Sequence, residues 1–243
     1  MIERLEVYCG VQPQGPFALD NRPASVVRRM VEPIRGSGHN VTFDNWFTSA
    51  PLVESLAQDD NLTAVPTVRK NKRELPPEVV NTRARPPLSS LFAFREYSTL
   101  VSYVPKKYRN VSLISSMHDS DDIDAESGEL HKPDIITFYN LTKGGVDVVD
   151  KLKTTYTTAR MSFRWPLRLF FSMLDIGAIN AQIILHSNTD EKTMRRSFLK
   201  TLAFELAKDH LTIRARTANS LHKDLRFRLR SYLDLGEDAP TPD

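Results

Sequence analysis

The sequence predicts an α/β fold, and three observations carry that expectation. Residues 40–68 read as strand, helix, strand, the repeating unit of α/β architecture. Three short runs rich in β-branched and aromatic residues, 92–94, 100–104 and 111–115, read as a meander of strands. The last third of the chain carries long helical patterns.

Taken in order, residues 5–9 form a short apolar run expected to be a strand, and the Pro- and Gly-bearing stretch 12–21 is a loop. Val26, Val27, Met30, Val31 and Ile34 recur at helical spacing over 24–34, and Gly36-Ser37-Gly38 ends that helix. Val41 and Phe43 share one face of a strand over 40–44. Ser49 is a suitable N-cap and Pro51 is tolerated in a first turn, so a helix runs to about residue 58. A strand over 62–68 closes the unit. Residues 69–85 are basic and Pro-rich and read as an exposed connection to the meander. An acidic loop carrying Asp119, Asp121, Asp122, Asp124, Glu126 and Glu129 follows it, then a further expected strand over 135–139. Helices are expected over 146–158, 166–186, 191–208 and 220–233, and a disordered tail over 234–243. The expected organisation is a core portion 1–68, a β-rich insertion 69–139 and a helical part 140–233.

With 243 residues, 40% hydrophobic and 26% charged, the chain can bury a sizeable core and is not disordered throughout. Its net charge of +3 is too small to define a nucleic-acid partner by itself. The single cysteine, Cys9, excludes an internal disulfide and a cysteine-cluster zinc site, and a reducing compartment is the simpler reading. The N-terminal stretch has no apolar run of secretory type. The apolar run 167–185 is broken by Arg168, Asp175, Asn180 and Gln182, so a buried helix is expected there rather than a membrane span. No phosphate-cradling glycine motif is present, and the six histidines lack metal-ligand spacing.

Asp44 ends the 40–44 strand, where side chains of α/β sheets project into a ligand crevice; an Asp-Asn pair there also serves as a helix-entry turn. In Lys143-Gly144-Gly145-Val146-Asp147, the glycines allow close backbone approach or positive φ ahead of a helix. Asp147 and Asp150 share a face of its first turns, where acidic residues also suit the helix dipole. Beside Asp44, they would offer hard oxygen ligands to Mg²⁺. A two-metal phosphodiester chemistry needs carboxylates of this kind to clamp both ions. In the segment 160–166, Arg160, Arg164 and Trp165 suit phosphate contact and base stacking. Core packing is the expected role of Trp165, while the two arginines stay open between DNA contact and local capping. The C-terminal helices carry a basic bias, including Arg195, Arg196, Lys200, Arg226, Arg228 and Arg230, that reads either as a solvated surface or as a DNA-facing one.

The stretches NVTFDNWFTSAPLVESLAQ, TAVPTVRKNKRELPPEV, YNLTKGGVDVVDKL and ARMSFRWPLRLFFSMLDIGAINAQIIL closely resemble the piggyBac transposase family in content and order. The resemblance runs from about residue 5 to about residue 230. It implies an RNase H-like catalytic core with an inserted β-rich subdomain, in which three aspartates bind two Mg²⁺ ions, nick transposon ends and join them to TTAA targets. Asp44 matches the second catalytic aspartate, Asp147 the third, and Asp150 a further acidic position. Arg160, Arg164, Trp165 and Lys143 are the expected DNA-contacting residues. DNA, a possible second copy of the chain and a nuclear location are implied; a membrane, a nucleotide and zinc are not. The family's first aspartate lies upstream of the strand matched by 5–9, so the chain is expected to be truncated and inactive alone, with Glu3 and Glu6 as poor substitutes. The family's N-terminal DNA-binding region and cysteine-rich zinc module have no counterpart in it. A domesticated DNA- or protein-binding module is the alternative, and an active enzyme extended upstream also stays open.

Overall fold

The computed structural model describes residues 1–8, 10–81, 83, 85–190, 192–217 and 221–235. The chain divides into two compact units, one of residues 3–148 and the other of residues 1–2 with 149–243.

In the first unit, α1 (Pro23–Val31) starts at a proline and buries Val27 and Val31. A single 3-10 turn, Glu32–Ile34, follows. Gly36 and Gly38 then adopt positive φ in the reversal toward β1 (Asn40–Val41), a conformation that favours glycine. Helix α2 (Ala50–Asp60) is capped by Ser49, whose side chain accepts from the Leu52 N–H, and ends on left-handed Asn61. The Asn61 side chain donates to the Gly36 carbonyl, and the Gly38 N–H donates to the Asn61 carbonyl. These bonds return the chain so that β2 (Thr63–Ala64) pairs with β1 in parallel.

Both strands are shorter than the sequence suggests. Pro66 has no N–H to extend the β2 ladder. The 64–68 segment instead offers its other edge to β5 (Arg109–Ser115): Ser116 N–H donates to Ala64 O, Ile114 N–H to Pro66 O and Val68 N–H to Ser112 O. After a four-residue helix α3 (Pro77–Val80), β3 (Ser89–Phe94), β4 (Thr99–Lys106) and β5 form an antiparallel meander in the order β3-β4-β5.

Strand β4 is central and buried on both faces, as alternation requires. Leu100 and Ile114 join the core made by Val27 and Val31 of α1, Leu52, Val53 and Leu56 of α2, and Val79 of α3. The opposite face sets Val101, Tyr103 and Leu113 against Ile135 and Ile136 of α4 (Asp134–Thr142). The unit is therefore helix, sheet, helix in layers.

Helix α4 corrects the strand expected over 135–139. Ile135, Ile136, Phe138 and Tyr139 have strand-forming side chains, but their spacing also places them on one side of a helix, and packing against β4 and β5 selects that form. The connection 69–85 is exposed over most of its described residues, as expected, but it is anchored at two points. Val79 is buried, and the half-buried Arg85 guanidinium donates to Ser102 Oγ, Ser102 O and Ser89 O, pinning the start of the meander. Residues 1–8 form no strand; Ile2 exchanges both backbone hydrogen bonds with the Asn180 amide. Cys9 lies outside the described residues.

Helix α5 (Gly145–Thr155) runs through the boundary into the second unit. There, α6 (Trp165–Asn188), α7 (Arg195–Thr217) and α8 (Lys223–Tyr232) follow. Arg195 donates to Gln182 and ties α7 to α6, while Phe204 and Tyr232 meet edge to face between α7 and α8. The expectation of a buried α6 fails: only Asp175 and Ile179 are buried, whereas Phe170, Met173, Leu174 and Ile184 are exposed. Its apolar residues surround the helix, and few elements of the unit cover them. It is the one helix among the described residues long and apolar enough to cross a membrane by length and composition. Of the expected tail, residues 236–243 lie outside the described residues.

Leu113, fully buried in the core under α4, should cost about 2–5 kcal/mol when replaced by alanine, read from urea denaturation. Burial holds the His118 imidazole, which shares a hydrogen bond with Ser115 and meets Phe138 edge-on, below its ordinary pKa of 6.5. The fold thus favours neutral His118, so its contribution to stability is present above about pH 6.5 and declines as pH falls below that value. The urea midpoint should drop on acidification through this range, and His118→Gln should reduce the drop.

Candidate functional site

Asp44 stands just beyond β1 as the chain turns toward α2. One carboxylate oxygen accepts the Trp46 N–H at 2.8 Å, and the Asp44 carbonyl accepts from Phe47 N–H and from the buried Thr48 hydroxyl. This is the helix-entry turn that an Asp-Asn pair favours. The side chain is nevertheless exposed, so the turn holds the carboxylate by one oxygen and leaves it open to solvent. Structural and functional roles are compatible at this residue.

The same loop presents Asn45 and Trp46. Arg69 donates to Asn45 Oδ1 at 2.8 Å and lies 4.7 Å over the exposed Trp46 ring. Local pattern does not show this pairing, because Arg69 lies in a stretch that reads as an exposed connection. A tryptophan just after Asp44 and a basic run just after a strand are the only signals the sequence offers for it.

Helix α4 brings the second motif to this loop. The Thr42 and Thr142 hydroxyls lie 2.9 Å apart although the residues are 100 apart in sequence. Asp44 lies two residues beyond Thr42, and Asp147 five beyond Thr142 in the first turn of α5. The fold of the first unit thus joins the strand that leads to Asp44 and the helix end that leads to Asp147. Both carboxylates are exposed.

Of the two glycine expectations for this motif, positive φ is not met and room for close approach is. Neither Gly144 nor Gly145 adopts positive φ, and nothing lies within 4 Å of where a Cβ would stand on either. Lys143 is right-handed, and a two-residue turn, 143–144, joins α4 to α5 with open space around both glycines. Lys143 itself is exposed, donates to Asn140 at 2.7 Å and lies 5.4 Å over the Tyr139 ring.

In the second unit, Asp150 is exposed on α5, three residues beyond Asp147. Arg160 and Arg164 are exposed on the loop before α6. Trp165, the first residue of α6, is 70% exposed, which corrects its expected core role. Phe163 and Met161 of the same loop are almost wholly exposed as well. Asp175, treated in the sequence only as a polar break in α6, proves to be a buried carboxylate.

Carboxylates and exposed positions of this kind suit a divalent cation. Among the described residues, however, no three His, Cys, Asp or Glu side chains converge on one point. Glu6 does not help: Arg29 grips both its carboxylate oxygens, at 2.9 and 2.6 Å, and this hydrogen bonding holds its pKa below the ordinary value. The described donors therefore do not make a complete magnesium site.

Comparisons with known proteins bear on the family and the fold. A family model described as Transposase IS4 matches residues 1–182. The cryo-EM structure of a piggyBac transposase synaptic complex with hairpin DNA is similar to this chain, with 36% identity and a TM-score of 0.81 over 96% of the chain. The chain spans 48% of the length of that transposase. The fold is the RNase H-like one of the DDE transposases. Within that class, the chain belongs to the piggyBac-type transposase family.

If Asp44 acts both as turn acceptor and as an open carboxylate, the two roles separate by substitution. Asp44→Asn keeps an oxygen for the Trp46 N–H and should leave the urea midpoint unchanged. Asp44→Ala removes the acceptor and should lower it. Equal losses in both variants would show that the charge, rather than the turn, stabilises the loop.

Proposed function

We propose that this transposase-derived chain engages DNA through its exposed arginines and carries part of an ancestral cleavage site without cutting DNA alone. The ancestral chemistry in this reading is metal-dependent strand cleavage and transfer at TTAA sites. DDE transposases use Mg²⁺, and Asp44, Asp147 and Asp150 are the residues that would contribute carboxylates. The observation that carries the reading is the Thr42–Thr142 contact, which joins the Asp44 and Asp147 loops without a third donor beside them among the described residues. Two-metal chemistry needs a fuller carboxylate set than the described residues bring together.

DNA contact is assigned to Arg160, Arg164, Trp165 and Lys143. Guanidinium and ammonium groups neutralise phosphates, and the exposed Trp165 ring offers a stacking face. The nucleus is the compartment this reading requires, and assembly with a second copy belongs to it. The boundaries 1–68, 69–139 and 140–233 remain the proposed evolutionary parts, although the β-rich part shares its core with α1 and α2.

The exposed apolar residues of α6 favour the alternative, a domesticated module that binds a protein partner. Light scattering would then give a mass above that of one chain, and Phe170→Ser with Met173→Ser would return it to that value.

The main reading is tested with the purified chain and transposon-end DNA. It should bind duplex DNA with an affinity that falls steeply with salt, and should neither nick nor join it in Mg²⁺ or Mn²⁺. Cleavage that disappears in Asp44→Ala would contradict the inactive reading. Absence of binding at low salt would remove the DNA role.

A further inference from the structure

The loop that carries Arg160 and Arg164 is not left to itself. At its start, Asp175 of α6 is 2% exposed and accepts three hydrogen bonds. Thr157 Oγ1 donates to Oδ2 at 2.7 Å, and Thr158 N–H and Thr158 Oγ1 each donate to Oδ1 at 2.8 Å. The Thr157 hydroxyl in turn accepts the Ala159 N–H at 3.0 Å, so the backbone is held up to the residue before Arg160. At the far end, Arg168 Nε donates to the Ser162 carbonyl at 3.2 Å, and the Ser162 hydroxyl accepts the Arg164 N–H at 3.1 Å. Arg168 and Asp175 are seven residues apart, two turns along one face of α6.

A carboxylate is costly to bury unless its oxygens are hydrogen-bonded, and none of the hydrogen bonds to Asp175 comes from a cation. All three come from two adjacent threonines at the base of one exposed loop. The packing of α6 does not need a carboxylate there, since the helix is apolar on most sides. What the group does is fix the loop. That loop has Met161 at 96%, Phe163 at 100% and Trp165 at 70% exposure around its two arginines. Such side chains stay outward only if the backbone beneath them is held, because a free loop would fold them against apolar α6.

We propose that Asp175 is a positioning residue for nucleic-acid contact: through Thr157 and Thr158 it holds the loop 157–164 so that Arg160, Phe163 and Arg164 face a DNA strand together. This rests on the DNA-binding role assigned above to the two arginines. Pre-organised loops lose less freedom on binding, so on release of the loop both arginines stay in the chain but no longer hold their phosphate contacts.

The test compares the full chain with Asp175→Ala, Asp175→Asn, Thr157→Val/Thr158→Val and Arg160→Ala/Arg164→Ala. Two readouts are used, trypsin cleavage after Arg160 and Arg164, and anisotropy of a fluorescein-labelled duplex across a salt series. Asp175→Ala should speed cleavage at those two positions about tenfold while other sites are unchanged, because protection there reports local opening. Its salt slope should fall by about 2, as for loss of two phosphate contacts. Adding Arg160→Ala/Arg164→Ala should lower the slope no further. Asp175→Asn keeps one acceptor oxygen, enough for Thr158 but not for Thr157 as well, and should fall between wild type and Asp175→Ala. The double valine variant should match Asp175→Ala, and carries the comparison if Asp175→Ala does not fold. Unchanged cleavage in a folded variant, or slope losses that add, overturns the proposal. A wild-type chain that binds no DNA, with cleavage still accelerated in Asp175→Ala, overturns the DNA role and upholds the fastening of the loop.

Discussion

The segment 64–68 is hydrogen-bonded along both edges, and the first unit is organised by that constraint. On one side Thr63 and Val65 donate to His39 and Val41 carbonyls; on the other, the backbone around Ala64, Pro66 and Val68 pairs with β5. A short parallel pair and an antiparallel meander become one hydrogen-bonded surface. Both faces of that surface are then available for burial, which is why α1, α2 and α3 pack on one side and α4 on the other. Backbone groups buried there would otherwise be unpaired, so the pairing is obligatory rather than incidental.

Site geometry descends from this arrangement. Because 64–68 fixes β1 beside the meander, the chain leaving β1 meets the end of α4, and the Thr42 and Thr142 hydroxyls touch. The Asp44 turn and the first turn of α5 are each held locally, one by an aspartate accepting its own loop's N–H and the other by continuous helix. Neither carboxylate is neutralised by an ion pair among the described residues, whereas Asp60, Glu54 and Glu6 are paired with arginines that fasten the frame. The acidic groups that build the fold and those left open are thus different groups.

Much of this was legible in the sequence. The α/β class, the meander, the Ser49 cap and the long C-terminal helices follow from local pattern, and the family follows from four long motifs. What was not legible depended on partners far along the chain. Residues 135–139 have strand-like side chains and become helix because β4 and β5 receive them in that form. Residues 62–68 read as one strand, but Pro66 divides the segment between two neighbours. Trp165 looks like a core residue by composition and lies outside. Asp175 looks like an interruption, and only its distance to Thr157 and Thr158 shows what it holds. The exposed Asp44 and Asp147 were readable as candidates, but the Thr42–Thr142 contact that ties the segments leading to them was not, since no chemical motif singles out those two threonines.

The central claim is that the first unit brings the Asp44 and Asp147 loops to one place. Disulfide trapping of Thr42→Cys/Thr142→Cys, in a background with Cys9→Ser, measures this most directly, because a disulfide forms only when the two Cβ atoms are close. The account predicts rapid, near-complete crosslinking under mild oxidation of the folded chain, and none in denaturant. Free thiols that persist in the folded protein would contradict it and would separate the two carboxylate loops.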